Sequence, residues 1–70
     1  MENYLTDREQ KVLTKLTKGL TNKEIADTLF ISTHTVKAHL ESIYEKLGAK
    51  NRVQAAIKAL ELGFIKINKK

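Results

Sequence analysis

The sequence predicts an all-α fold, namely a four-helix bundle that contains a helix-turn-helix unit. Apolar residues recur at the helical period almost throughout, and no stretch shows the alternation of a β-strand. Helix-capping signals precede four of these periodic segments, and Gly19, Gly48 and Gly63 follow three of them. The 70 residues allow one small domain, residues 1–70, with a core expected over about 5–65.

The first two helices are predicted from two capping boxes, TDRE at 6–9 and TNKE at 21–24. In this motif the threonine hydroxyl accepts from the amide three residues later, and the glutamate side chain reaches back to the threonine amide. We expect the first helix over about 7–18 and the second over about 22–30. The residues expected to be buried in these helices are Val12, Leu13, Leu16, Ile25, Ala26 and Leu29.

The third and fourth helices are predicted to begin after Ser32 and Asn51, two favourable N-cap residues. The third should run over about 33–47 and the fourth over about 52–62. The residues expected to be buried in them are Val36, Leu40, Ile43, Leu47, Val53, Ala56, Ile57 and Leu60. The residues expected to close the two ends of the core are Tyr4, Leu5, Phe64 and Ile65. The tail INKK, at 67–70, is expected to be frayed and solvated.

The composition favours an acidic partner and disfavours several classes of protein. Thirteen lysines and arginines stand against eight acids, a formal net charge of +5, as in domains that meet nucleic acid or an anionic membrane. The absence of cysteine excludes disulfides and thiolate metal sites and fits a reducing compartment, so we expect a cytoplasmic protein. No apolar run could span a bilayer, and no signal peptide is visible. We expect no cofactor, no membrane partner and no small-molecule ligand in this domain.

The short connection between the second and third helices predicts the helix-turn-helix. Only residues 30–32 separate them, which forces a steep crossing, and Ile31 is apolar enough to anchor the corner. The third helix would then place its first half in the major groove of double-stranded DNA. Its outer face is short and polar: Lys37 suits a guanine, Ala38 a thymine methyl and Glu41 a cytosine amine. The candidate base contacts are therefore His34, Lys37, Ala38 and Glu41.

Other polar residues are candidates for contact with the DNA backbone. The second helix begins with unpaired amides and the positive end of its dipole, which suit a phosphate, and Lys23 adds charge there. The candidate phosphate contacts are Thr21, Asn22, Lys23, Thr33, Thr35, His39 and Lys46.

The fourth helix predicts a homodimer. Once its core stripe is assigned, three apolar residues remain on the opposite face, at spacings of four and three: Ala55, Ala59 and Leu62. Such a face lets two helices approach closely, and two-fold pairing predicts half-sites about one helical turn apart on the DNA.

Most of the chain resembles one family. The segments LTDREQKVL at 5–13, GLTNKEIADTLFISTHTVKAHLESIYEKLGAKNR at 19–52 and VQAAIKALELGFI at 53–65 are similar to the LuxR-type (NarL/FixJ, GerE-like) helix-turn-helix domain. The resemblance implies a bacterial transcription regulator whose third helix faces the bases with Lys37, Ala38 and Glu41, and which dimerises through its fourth helix. Two departures stand out: Glu41, where several members carry a basic residue, and the pair at 27–28, where some members carry arginines that touch phosphate.

Three alternatives remain open from the sequence. The promoter-reading C-terminal domain of a sigma factor shares the capped first helix and the helix-turn-helix, and it would make RNA polymerase a partner; the capped fourth helix favours the LuxR type instead. A protein-interaction module without DNA binding is favoured by Glu41 and Glu45, since carboxylates repel phosphate. An enzyme is disfavoured, because His34 and His39 lie on different sides of one helix with no third metal ligand near them, and the chain has no cysteine nucleophile and no glycine-rich phosphate loop.

Overall fold

The computed structural model describes residues 5–65, which form four helices and contain no strand. These helices are α1 (Asp7–Thr17), α2 (Asn22–Leu29), α3 (Thr33–Leu47) and α4 (Arg52–Glu61). The predicted all-α fold and its helix order are confirmed, and three of the four predicted C-terminal ends were one residue too long. The predictions for Tyr4 and for the tail at 67–70 lie outside the described residues.

All four predicted N-caps are present. The Thr6 hydroxyl accepts from the Glu9 amide at 3.1 Å, while the Glu9 carboxylate accepts from the Thr6 amide at 3.1 Å. The same reciprocal pair closes the start of α2, between Thr21 and Glu24, at 3.1 and 2.8 Å. Ser32 and Asn51 cap α3 and α4 through their side-chain oxygens. Because each cap satisfies amides that a helix leaves unpaired, the helix starts are set by local sequence.

The core lies between α3 and the other three helices, each of which packs against it. α1 contributes three predicted residues to it, α2 contributes Ile25 and Ala26, and α3 contributes all four predicted residues. The buried apolar residues of these helices are Val12, Leu13, Leu16, Ile25, Ala26, Val36, Leu40, Ile43 and Leu47. Leu5 is buried, and Leu29, Phe64 and Ile65 are half-buried against the core, so within 5–65 both ends of the core close as expected. The side chain of Gln10 fixes the C-terminal end by donating to the Phe64 carbonyl at 3.0 Å.

α4 presents a different face to the core from the one that the sequence predicted. Val53, Ile57 and Leu60 were expected inside, but they are 67%, 50% and 40% exposed. Ala55 and Ala59, expected on a dimer surface, are completely buried. Both predictions are therefore wrong. Small side chains on the inner face let the α4 backbone pack closely against α1 and α3, and the larger apolar residues are left outside.

A buried carboxylate joins α1 to α3. Glu9 is only 5% exposed, and besides capping α1 it accepts from Ser42 Oγ and from Lys46 Nζ, each at 2.7 Å. Burial raises the pKa of this carboxyl, but the bonds from Lys46, Ser42 and the Thr6 amide outweigh burial and lower the pKa from 4.5 to about 2. Glu9 is therefore ionised in the folded protein and fixes α3 against α1.

The corner between α2 and α3 is tight and partly strained. Phe30 ends α2 in the left-handed region, with φ at 59°, and it is the non-glycine residue with positive φ among residues 5–65. Its amide and that of Ile31 both donate to the Ala26 carbonyl, and Ile31 packs against the core as predicted. The Phe30 side chain is 93% exposed. Within the described range, no helix is both long and apolar enough to cross a bilayer.

Candidate nucleic-acid interface

The outer face of the first half of α3 is open to solvent. His34, Lys37, Ala38 and Glu41 are all exposed, while Val36 and Leu40 on the other side of the same turns are buried. The exposed set follows the helical period, so its members lie along one side of the helix. None of these four side chains is needed to hold the helix in place, which leaves them available to a ligand.

This face has the dimensions and chemistry of a helix that enters the major groove. Ala38 keeps the middle of the face low, so that the helix backbone can approach a base edge closely. Lys37 carries three donors on a long stem, which suits the O6 and N7 acceptors of guanine, and Glu41 supplies acceptors for an amine. The structure thus brings the four predicted base-contact residues together; their contact with bases stays a prediction.

The beginning of α2 holds three candidate phosphate contacts, and each already has a protein partner. Thr21 is exposed, and its hydroxyl caps the helix. Lys23 lies at the surface and forms an exposed ion pair with Asp27, with 3.3 Å between Nζ and Oδ2. Asn22 is half-buried, and its Oδ1 accepts from Arg52 Nη1 at 3.2 Å. Exposed pairs of this kind are weak, so Lys23 can exchange its carboxylate for a phosphate at little cost.

Three further candidates lie along the start of α3. Thr33 is exposed, and His39 is half-buried on the flank of the helix. The Thr35 hydroxyl shares a 2.9 Å hydrogen bond with Ser32 Oγ, the cap of α3. At 27–28 the chain departs from the family pattern. There the Thr28 hydroxyl donates to the Ile25 carbonyl in its own helix. The pair at 27–28 is thus engaged within α2 itself.

Lys46 is the candidate that the structure places elsewhere. Its ammonium bonds the Glu9 carboxylate at 2.7 Å, and 32% of its side chain is exposed, against 7% for Glu9. Moving it to a phosphate would leave a buried carboxylate without its cation, which is costly. Lys46 thus holds α3 to α1, and its contact with a phosphate stays a prediction.

Arg52, at the start of α4, is a structural residue that the sequence analysis missed. Its guanidinium donates to the Leu20 carbonyl and to Asn22 Oδ1, so it ties α4 to the beginning of α2. This tie fixes the helix end that is the candidate phosphate site. The sequence indicated this role only in part. It shows a donor directly after an N-cap, but the acceptor Asn22 lies 30 residues away and could not be identified from the sequence.

The exposed apolar side of α4 is a second candidate surface. We define the α4 face as Val53, Ile57 and Leu60, which recur at helical spacing and are all exposed. A groove of about 480 Å³ runs beside Ile57, and its other lining residues are Gly48, Lys50, Gln54, Lys58 and Glu61. Leu62, the third residue predicted for a dimer surface, directly follows α4 and is 60% exposed; at 100° per residue it lies on the Ala55 side, away from the α4 face, and its dimer contact stays a prediction.

Sequence comparisons identify similar proteins across nearly the whole of this fold. The sequence profile of the family described as bacterial regulatory proteins, luxR family, matches residues 3–59. The CsgBAC operon transcriptional regulatory protein of Escherichia coli (strain K12) is 53% identical over 51 residues, which are 73% of this chain and 24% of that protein. The spore germination protein GerE of Bacillus subtilis (strain 168) is 43% identical over 63 residues, which are 90% of this chain and 85% of that protein.

Solved structures agree with the sequence comparisons. The structure of the transcription factor GerE superposes with a TM-score of 0.86 at 34% identity, covering 93% of this chain and 97% of that one. The response regulator ChrA of a heme-sensing two-component system also gives 0.86, at 43% identity, and the match covers 93% of this chain but 32% of ChrA. The chain thus spans about a quarter of the first curated relatives and most of GerE. These matches favour the LuxR type over the sigma-factor alternative.

Proposed function

Because the chain belongs to the luxR family of bacterial regulatory proteins, a family of DNA-binding transcription regulators and not of enzymes, we propose that it binds a specific DNA sequence with α3 in the major groove. The observation that supports this most strongly is the separation of the two sides of α3. One side packs into the core. The other side, which carries His34, Lys37, Ala38 and Glu41, is exposed. We place this activity in the bacterial cytoplasm.

The four exposed residues of α3 have distinct roles in this proposal. Lys37 donates to the acceptors of a guanine, and Ala38 packs against a thymine methyl. Glu41 accepts from a cytosine amine, so a site for this chain should carry cytosine where relatives with a basic residue meet a guanine. His34, one turn before Lys37 and Ala38, contacts the neighbouring base. Around them, Thr21, Lys23, Thr33 and His39 position the helix by contact with phosphates.

Selection of bound duplexes from random DNA tests this proposal directly. A selected consensus supports it, and Lys37→Ala should then weaken binding to the consensus by about 1–3 kcal/mol, or roughly 5- to 150-fold in Kd. Lys18→Ala, at an exposed lysine directly after α1, is the matched control and should change Kd little. Recovery of no consensus, or an equal loss on random DNA after Lys37→Ala, would contradict base readout by this residue.

Salt dependence separates DNA binding from the alternative of a pure protein-interaction module. That alternative is supported by Glu41 and Glu45, two exposed carboxylates on α3. If several phosphates are contacted, log Kd should rise with log salt concentration by roughly 0.9 for each phosphate neutralised. A flat salt dependence together with the absence of a selected sequence would favour the protein-interaction module.

A homodimer on two half-sites is the second part of the proposal, and it uses the α4 face. Three large apolar side chains at 67%, 50% and 40% exposure are expensive to leave in water, and a second copy offers the same face by two-fold symmetry. Ile57→Glu should therefore abolish cooperative binding to a two-half-site duplex while a single half-site is bound as before. Leu62→Glu separates this surface from the one predicted from the sequence: Leu62 is 60% exposed but lies away from the α4 face, so a loss of cooperativity in this variant alone would favour the earlier prediction. Unchanged cooperativity after Ile57→Glu would remove the α4 face from the dimer.

RNA polymerase is a further proposed partner, because a regulator bound beside a promoter acts by changing how the polymerase is recruited. The observation that supports it is the family alone, as relatives include proteins described as a DNA-binding transcriptional activator. Transcription in vitro from a promoter that carries the selected site tests it. An unchanged transcript yield on addition of the protein would contradict the proposal.

A further inference from the structure

The outer side of α1 carries a row of cations that no contact with the core explains. Arg8, Lys11, Lys15 and Lys18 follow one another at spacings of three, four and three, so they lie on one side of the helix. At 100° per residue the row lies beside the buried stripe of Val12, Leu13 and Leu16, with Arg8 and Lys15 nearest that stripe and Lys11 and Lys18 farthest from it. Arg8, Lys11 and Lys18 are exposed, and Lys15 is half-buried. We call these four residues the α1 basic row.

A cleft runs along the α1 basic row. It has a volume of about 370 Å³ and lies between α1 and the end of α2, with Gln10, Lys11, Thr14, Lys15 and Leu29 as its lining. Two of the four cations therefore stand at its edge, and Leu29 supplies apolar surface within it. A ligand that fits both features needs negative charge for the edge and an apolar group for the interior.

Phe30, the residue after Leu29, adds a second apolar group at this end of α2. Its side chain is 93% exposed, so it contributes almost nothing to the core. Its backbone adopts a left-handed conformation, with φ at 59°, which asparagine and glycine adopt more easily than an aromatic residue. Phenylalanine at this position therefore strains the backbone, and its side chain buries almost no apolar area in return. This pattern is expected of a side chain that contacts a partner.

The α1 basic row is poorly placed for the DNA that α3 would bind. α1 packs against the buried side of α3, whereas the candidate base contacts lie on the opposite side of α3. Lys11 and Lys18 are in turn on the side of α1 turned away from its buried stripe, and so away from its contact with α3. A phosphodiester also offers no apolar group for the cleft, whereas an acidic polypeptide can offer both charge and apolar side chains.

We propose that the α1 basic row and its cleft bind an acidic, amphipathic segment of a partner protein, with carboxylates against Lys11 and Lys15 and an apolar side chain over Leu29. Phe30 extends the apolar contact at the end of α2. The cleft itself is lined by α1 residues and Leu29, with no residue of α3 or of the α4 face among them. The proposed binding of this partner does not depend on which DNA sequence the domain binds.

The test uses the whole chain, labelled with ¹⁵N, and a short helical peptide of glutamate and leucine as the probe. Amide shifts should change along α1 and at Leu29 and Phe30, and the double reversal Lys11→Glu with Lys15→Glu should raise the peptide Kd by about ten-fold or more. The charge-preserving pair Lys11→Arg with Lys15→Arg should retain binding. Phe30→Asn, which suits the left-handed backbone, should weaken binding without loss of fold.

Control variants distinguish specific binding at the α1 basic row from general attraction of an acidic peptide to a basic protein. The reversal Lys50→Glu with Lys58→Glu changes the net charge equally on the α4 side, and it should leave peptide binding nearly unchanged. Equal losses in both double reversals would overturn the proposal, as would shifts concentrated on the outer face of α3. It is also overturned if reversal at Lys11 and Lys15 weakens the selected duplex as much as Lys37→Ala does, because the row would then contact DNA. Tighter binding to phosphatidylserine vesicles than to the peptide would point to a membrane instead.

Discussion

The buried carboxylate of Glu9 makes a quantitative prediction about stability and pH. Its pKa is about 2 in the folded protein, against 4.5 ordinarily, so the unfolded chain takes up the proton more readily. The stability that Glu9 contributes is therefore complete above about pH 4.5 and is lost as the pH falls towards 2. The change to examine is Glu9→Gln, which keeps the size of the side chain and removes its charge.

The magnitude follows from the pKa difference. A fall from 4.5 to about 2 corresponds to about 3 kcal/mol, at about 1.4 kcal/mol for each pKa unit. The side chain of Glu9 is only 7% exposed, so little of this is screened by water, whereas the 32% exposure of the Lys46 side chain makes 3 kcal/mol an upper figure. A 70-residue domain has a total stability of roughly 4–10 kcal/mol, so this single carboxylate accounts for a large share.

The assay is urea unfolding followed by circular dichroism, with the protein and Glu9→Gln compared at matched pH values. We expect the variant to be about 2–3 kcal/mol less stable at pH 7, and we expect the difference to shrink progressively below pH 4.5. Comparing the difference between the two proteins removes the effect of other carboxylates that titrate in the same range. The double variant Glu9→Gln with Lys46→Met, set against Lys46→Met alone, isolates the ion pair from the cap.

Two results would refute this reasoning. If the difference between the two proteins stayed constant from pH 7 to about pH 2.5, Glu9 would stabilise the fold by packing and capping and not by its buried charge. If Glu9→Gln cost the same in the presence and absence of Lys46, the bond between α1 and α3 would carry no coupling energy.

Two further predictions concern the ends of α2. Phe30→Asn should raise the free energy of unfolding by about 0.5–1 kcal/mol, because asparagine tolerates positive φ and the lost phenylalanine is hardly buried; an unfolding curve that moves to lower urea would contradict the strain. Arg52→Ala should cost about 1.5–3 kcal/mol, because the Leu20 carbonyl and Asn22 lose a charged donor. Arg8→Ala, at an exposed position, is its control and should change stability by less than about 0.5 kcal/mol; equal effects would show that Arg52 is not a structural tie.

The helix boundaries and most of the core were predictable because they depend on local chemistry. Thr6, Thr21, Ser32 and Asn51 each cap the helix that follows, and each bond spans three residues of sequence. The apolar stripe of α3 was assigned correctly because its other side is wholly polar apart from Ala38. Where a helix has one apolar side, periodicity alone indicates which side is buried.

The orientation of α4 was not predictable in this way, because this helix has two apolar sides. Periodicity finds both stripes but does not choose between them, and the larger residues Val53, Ile57 and Leu60 are the natural choice when burial of area is the only criterion. The choice is made by the distance between helices. α4 packs closely against its neighbours only if Ala55 and Ala59 face them, and that distance is a tertiary property.

Two other features depend on contacts far apart in sequence. The capping role of Glu9 could be predicted from TDRE, but its bonds to Ser42 and Lys46 cross 33 and 37 residues and require the register of α1 against α3. Phe30 concealed the end of α2, because the left-handed position that ends a helix is usually marked by glycine or asparagine. The pairing of Lys46 with Glu9 was missed because it, too, requires the register of α1 against α3.

The bare outer face of α3 has a consequence for how proteins with this architecture diverge. His34, Lys37, Ala38 and Glu41 are all exposed, so replacing them would change the proposed contacts with bases while the folding equilibrium changes little. A duplicated gene could therefore acquire a new target sequence one substitution at a time, without passing through an unfolded intermediate. Glu9 has no such freedom, because replacing it lowers the stability of the whole domain.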